Sequence, residues 1–197
     1  MTGHFEPQPG GGAAVPLDEV EISILRSLAV QLMELIGPGE ETGEDESDDL
    51  LASIFNDGPS EPPADPVLAR LFPDAYGGPD LVPDDDVRAA SAEFRRYTEN
   101  DLRSRKREDA LALIRALDTL APAGDSAMLR LDPRECRQWL GALNDLRLAI
   151  GTRLEVTDEE DGGELLRLPD SDPRKPMVMA YLWLGGLQET LVESLMG

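Results

Sequence analysis

Leu131-Asp132-Pro133-Arg134-Glu135-Cys136-Arg137-Gln138-Trp139-Leu140, running on to Gly151, is the stretch whose reading decides the fold. Asp132 stands where a helix needs an N-cap. Pro133 suits the first helical position, where the missing N–H is no loss, and Glu135 completes a capping box. Trp139, Leu140, Leu143, Leu146 and Ile150 then recur at helical spacing and mark one buried face. A helix with such a face must be covered by other elements of the chain.

Three more helices fit. Asp18 and Glu21 form a second capping box, with Leu17 and Ile22 as its hydrophobic staple. Ile24, Leu25, Leu28, Leu32, Leu35 and Ile36 carry that helix to the stop at Gly37-Pro38. A long amphipathic stretch starts near Asp84. Its register is clear through Leu102 and again from Ala110 to Leu120, but no apolar residue occurs from Arg103 to Asp109. There the helix stays exposed or bends. The last helix opens near Asp172-Pro173 and places Met177, Tyr181, Leu184, Leu187, Leu191 and Leu195 on one face, despite Gly185-Gly186.

The expected fold class is therefore all-α, a bundle of about four main helices. A short two-stranded ribbon is expected between Met128–Leu131 and Leu165–Leu168. Residues 1–16, with His4, three prolines and Gly10-Gly11-Gly12, lack periodicity and read as a disordered tail. Residues 17–197 form one helical domain, interrupted by an acidic flexible linker at 37–66 and an acidic loop at 157–164. The apolar run Val67–Phe72 echoes Leu50–Phe55, but six residues define no repeat.

The 197 residues hold 40 acidic and 18 basic side chains, a net charge of −22. Residues 1–65 account for −14 of it and the loop carboxylates Asp158–Asp161 and Glu164 for −5, which leaves the helical framework near neutrality. A body so acidic repels nucleic acid and anionic membranes, so direct nucleic-acid binding and membrane docking are disfavoured. The absence of a signal-like start and of a long apolar run predicts a cytoplasmic protein.

Rare residues exclude further chemistry. His4 is the only histidine and Cys136 the only cysteine, so the folded part has no imidazole base and no internal disulfide. Lys106 and Lys175 are the only lysines and neither follows a glycine-rich loop. Taking Asp158 as the start of a calcium loop puts Gly162 and Pro169 at ligand positions, and the match fails. No catalytic residue, cofactor site or metal site is assigned.

Three constellations remain. Cys136 lies in a helix first turn between Arg134 and Arg137, which favours a thiolate and a redox role; at the fourth helical position it equally fits the staple partner of Leu131. Arg95, Arg96, Arg103, Arg105, Lys106 and Arg107 offer a docking surface to an acidic partner, or to the chain's own acidic linker. Interspersed carboxylates reduce the local sum to +1, so a salt-bridged helix face explains them as well. Asp145, Arg147 and Arg153 bracket a helix end and are placed either to pair structurally or to line a small-molecule or catalytic pocket.

Three blocks carry a resemblance: Glu93-Phe94-Arg95-Arg96-Tyr97-Thr98-Glu99 with Leu102, Leu143–Leu154, and Tyr181-Leu182-Trp183-Leu184-Gly185-Gly186-Leu187-Gln188-Glu189. Over about 17–197 the chain resembles the actinobacterial oxidative stress regulator AosR family, formerly a domain of unknown function. The resemblance implies a non-enzymatic cytoplasmic regulator or adaptor that acts through protein contacts. It also implies a sigma-factor partner and a link to cysteine biosynthesis. The family's redox role relies on two cysteines that form an internal disulfide. Cys136 stands alone, so that switch does not carry over.

Overall fold

The computed structural model describes residues 3–37, 58–77, 83–120, 126–156 and 167–196. Among them, β1 (Glu6–Gln8), β2 (Gly12–Leu17), α1 (Glu19–Ile36), α2 (Pro66–Leu71), α3 (Asp85–Asp118), β3 (Ala127–Leu131), α4 (Pro133–Arg153) and α5 (Lys175–Met196) follow in chain order. The protein is mostly helical, with a small three-stranded antiparallel sheet in the order β1-β2-β3.

Both capping boxes form. The Asp18 carboxylate accepts the Glu21 N–H at 2.7 Å, and Glu21 accepts the Asp18 N–H at 3.0 Å. Asp132 and Glu135 repeat the exchange at the start of α4, each bond 2.8 Å. Trp139, Leu143, Leu146 and Ile150 are buried. Their helix packs against α2, α3 and α5, while α1 lies mainly along α3.

Two expectations are corrected. Of the expected disordered tail at 1–16, the described residues 3–16 are ordered: Phe5, Ala13, Ala14 and Val15 are buried, and β1 and β2 make a hairpin. Its prolines and glycines serve the strands. Gly10 and Gly11 take positive φ, at 97° and 87°, in the hairpin loop. Gly12 has no Cβ because one would collide with the Leu131 carbonyl. The Phe5 ring meets Trp139 edge-on at 6.1 Å, and its N–H donates to Thr190 Oγ1 at 3.1 Å.

The ribbon has a different partner. β3 pairs with β2, with Ala13 opposite Leu131 and Leu17 opposite Ala127. Arg167 and Leu168 lie in a turn, and Leu165 and Leu166 fall outside the described residues. Alternation explains why β3 sought the hairpin: Ala127, Leu129 and Leu131 face the core while Met128 and Arg130 face out, so the strand needed a neighbour in register with the core. The acidic segment at 38–57 and the acidic loop at 157–164 also lie outside the described residues.

The Arg-rich stretch of α3 does not interrupt the helix, which is continuous over 34 residues. Val67–Leu71 falls in the short helix α2, capped by Asp65, whose carboxylate accepts the Val67 and Leu68 N–H groups at 2.8 and 2.9 Å.

Candidate functional site

α3 is built in two ways along its length. From Ala110 to Leu117 it buries Ala110, Leu113, Ile114 and Leu117. Before Ala110 the buried residues are Ser91, Arg95 and Glu99. A helix that turns polar side chains inward must satisfy them there, because an unpaired buried charge is strongly destabilising.

Arg95, 5% exposed, donates to the Phe72 carbonyl at 2.9 Å and to Asp74 at 2.8 Å, and is ion-paired with Glu99. Burial works against its charge, but Asp74 and Glu99 outweigh that and hold its pKa above the ordinary value. Glu99 also accepts from Arg103 Nε at 2.9 Å and Nη2 at 2.7 Å. Arg103 then reaches the Ile36 carbonyl at 2.7 Å and lies over the Phe72 ring at 4.4 Å. Arg107 donates to the Gly37 carbonyl and to that of Met33. Lys106 pairs with Asp145 at 2.6 Å.

The result is a charged ladder that joins the ends of α1 and α2 to α3. The last turn of α1 contains no basic residue of its own. Arg103 and Arg107 supply cations to its terminal carbonyls from the neighbouring helix, where the helix dipole favours them. The backbone of α3 also takes part: the Arg96 carbonyl accepts the Gly58 N–H at 2.8 Å.

The six predicted surface cations therefore do not act as one open surface. Arg95, Arg103, Lys106 and Arg107 are engaged inside the fold. Arg96 is half-buried, donates to Tyr97 Oη at 2.7 Å and lies over that ring; Arg105 is exposed. Beside the ladder, Tyr76, Phe94 and Tyr97 are exposed, with Tyr76 and Phe94 in edge contact at 5.9 Å.

Asp145, Arg147 and Arg153 are not brought together. Asp145 faces α3 and Lys106; burial raises its pKa, and the Lys106 hydrogen bond only partly offsets this. Asp109, on the same interface, is raised mainly by burial as well. Arg147 turns the other way, donating to Gln188 Oε1 at 2.7 Å and lying over the Tyr181 ring at 5.2 Å. It borders two shallow clefts of about 530 and 580 Å³ between α4, α5 and the end of α2. Its buried Nε has no hydrogen-bond partner among the described residues. Arg153 is exposed and lines neither cleft.

Cys136 is fully buried, with its thiol 3.8 Å from the Leu131 carbonyl. Burial pushes its pKa up, a shift opposed by the Ala13 backbone and reinforced by Asp132 and Glu135. This is the environment of a staple residue, and the opposite of the depressed pKa that makes a thiol reactive. No group of three or more His, Cys, Asp and Glu side chains suited to a metal occurs among the described residues. No helix among them is long and apolar enough to cross a membrane.

One feature gave little sequence signal. Arg115, Arg130 and Arg134 come from three different elements to border a third cleft of about 670 Å³, floored by Trp139. Arg130 and Arg134 are near neighbours in the sequence, but Arg115 is distant from both, and only the fold brings the three to one cleft.

A family model described as "Domain of unknown function (DUF2017)" matches residues 1–195. The chain is 34% identical over 183 residues to proteins named "Oxidative stress regulator AosR" from Mycobacterium tuberculosis (strain ATCC 25618 / H37Rv) and Mycobacterium bovis. Those matches cover 90% of this chain and 79% of each relative. A Mycobacterium leprae protein matches at 34% over 181 residues, 89% of this chain and 79% of its own. No solved structure matches.

Proposed function

This chain belongs to the DUF2017 family, and from that premise we propose that it is a cytoplasmic, non-enzymatic regulator acting through protein–protein contacts in an oxidative-stress response. The observation that carries the proposal is the name shared by relatives that align with nearly the whole chain. The state of the only cysteine shapes how such a regulator would work. Cys136 has no second thiol to pair with and is shielded from solvent, so oxidant would be sensed by the partner or through the amount of protein made. The resemblance also suggests a sigma factor or another transcription component as partner, and cysteine biosynthesis as one regulated process.

The test is chemical cross-linking in the native host followed by mass spectrometry, with and without peroxide. Enrichment of a sigma factor or other transcription component, changing with oxidant, is the expected result. A cross-linked set with no specific protein in either condition overturns the proposal.

A further inference from the structure

The cleft between α3, β3 and the start of α4 combines three properties. The first is an open strand edge. β3 is the last strand of the sheet, with β2 on one side and no strand on the other among the described residues. Its register shows which groups are free. Met128 stands opposite Pro16, which has no N–H, and Arg130 stands two residues on in the same phase. The main-chain N–H and C=O groups of Met128 and Arg130 therefore face away from β2. Met128, Leu129 and Arg130 all border the cleft.

The second property is charge. Arg115, Arg130 and Arg134 border the cleft, are exposed, and make no ion pair with a described residue. Of the two carboxylates there, Glu135 is committed to the Asp132 N–H of the capping box. A net-basic cleft is unusual on a chain of net charge −22. The cations of the α3 ladder are engaged inside the fold, whereas these three have no carboxylate partner among the described residues.

The third is the floor. Trp139 is 1% exposed, and its indole N–H has no hydrogen-bond partner among the described residues. The α3 wall runs from Glu108 to Leu120, about 18 Å at the helical rise, which matches about five residues of extended chain.

We propose that this cleft binds an extended acidic peptide of a partner protein, added as a fourth strand along β3 with its carboxylates on Arg115, Arg130 and Arg134. Main-chain pairing supplies the affinity and the three guanidiniums select the charge. This names the chemistry of the contact for the regulatory role proposed above and rests on that role for its biological meaning. Its physical content is tested without a cellular partner.

The probe is a fluorescein-labelled hexapeptide of alternating valine and glutamate, titrated with the full chain and followed by polarisation. A saturable rise is expected, at least about tenfold weaker for the valine–glutamine peptide and for Arg115→Glu/Arg130→Glu/Arg134→Glu. Met128→Pro removes one outward N–H without touching the β2 ladder and should abolish binding. A hexapeptide with alternate amides N-methylated tests the same pairing from the ligand side and does not depend on the variant folding.

Equal affinity for the glutamine peptide, undiminished binding of the N-methylated peptide, or no saturable signal overturns the proposal. Tighter binding of an oligothymidylate of similar length overturns it in favour of nucleic acid. Peptide binding without any specifically cross-linked protein would overturn the regulatory role and leave the cleft standing; the reverse outcome would separate them the other way.

Discussion

The two halves of α3 are one helix stabilised by different physics. From Ala110 onward it is held by apolar burial, with Leu113 and Leu117 at 0% and 1% exposure. Before that it is held by the ladder Arg95–Glu99–Arg103 and by Lys106–Asp145. Apolar packing is non-directional and tolerates a partner of similar volume. A buried ion pair is stringent: each charge must find its counter-charge, or the site becomes worse than an uncharged one. The N-terminal half thus gains little net stability, but it fixes which residues of α1 and α2 it accepts.

Substitutions should separate the halves. Glu99→Gln leaves Arg95 and Arg103 without their shared counter-charge and should cost about 3–5 kcal/mol in urea unfolding. Removing charge from the main pair together, as Arg95→Met/Glu99→Leu, should cost less than Glu99→Gln alone, because the more exposed Arg103 is then the one cation of the ladder left without its carboxylate. If the double change is the worse of the two, the ladder is a source of stability and the contrast fails. In the apolar half, Leu113→Ala should cost about 2–5 kcal/mol, whatever the salt concentration.

A pH series sharpens the same comparison. Burial raises the carboxyls of Asp145 and Asp109 above the ordinary carboxylate range. The stability they contribute is fully present below that range and is lost as pH rises through their elevated values. Asp145→Asn removes one titration, so from pH 4 to 7 the variant should gain stability relative to the parent. A parallel pair of pH profiles would contradict the raised value. Smallest of all, Arg107→Ala removes one cation from the α1 terminus and should cost about 0.3–1 kcal/mol, with the loss shrinking in salt.

What could be read in the sequence was local. The capping boxes at Asp18/Glu21 and Asp132/Glu135 span three residues each, so their geometry is encoded where they stand. The ladder was visible only as a basic run, because its acceptors are distant: the Phe72 carbonyl is 23 residues from Arg95, and that of Ile36 is 67 from Arg103. The N-terminal hairpin escaped for another reason. Its prolines and glycines have the composition of a tail, and their strand role follows from the side on which β3 pairs, which no local window contains. Cys136 was open between two roles until its burial and raised pKa favoured the staple. The cleft cations Arg115, Arg130 and Arg134 gave no pattern, since three elements contribute one each.

The contact between Phe5 and Thr190 spans 185 residues, and β2 waits on a strand more than a hundred residues later. Such non-local closures come late in folding, since the chain between them must first be ordered. On a ribosome, the hairpin emerges well before β3 and α5, the elements it docks on. Until α5 is made, the apolar faces of Phe5, Val15 and Leu17 have only an incomplete core to cover them. The hairpin thus depends on elements made long after it, and a truncated or stalled product would expose a strand-forming apolar segment to other chains.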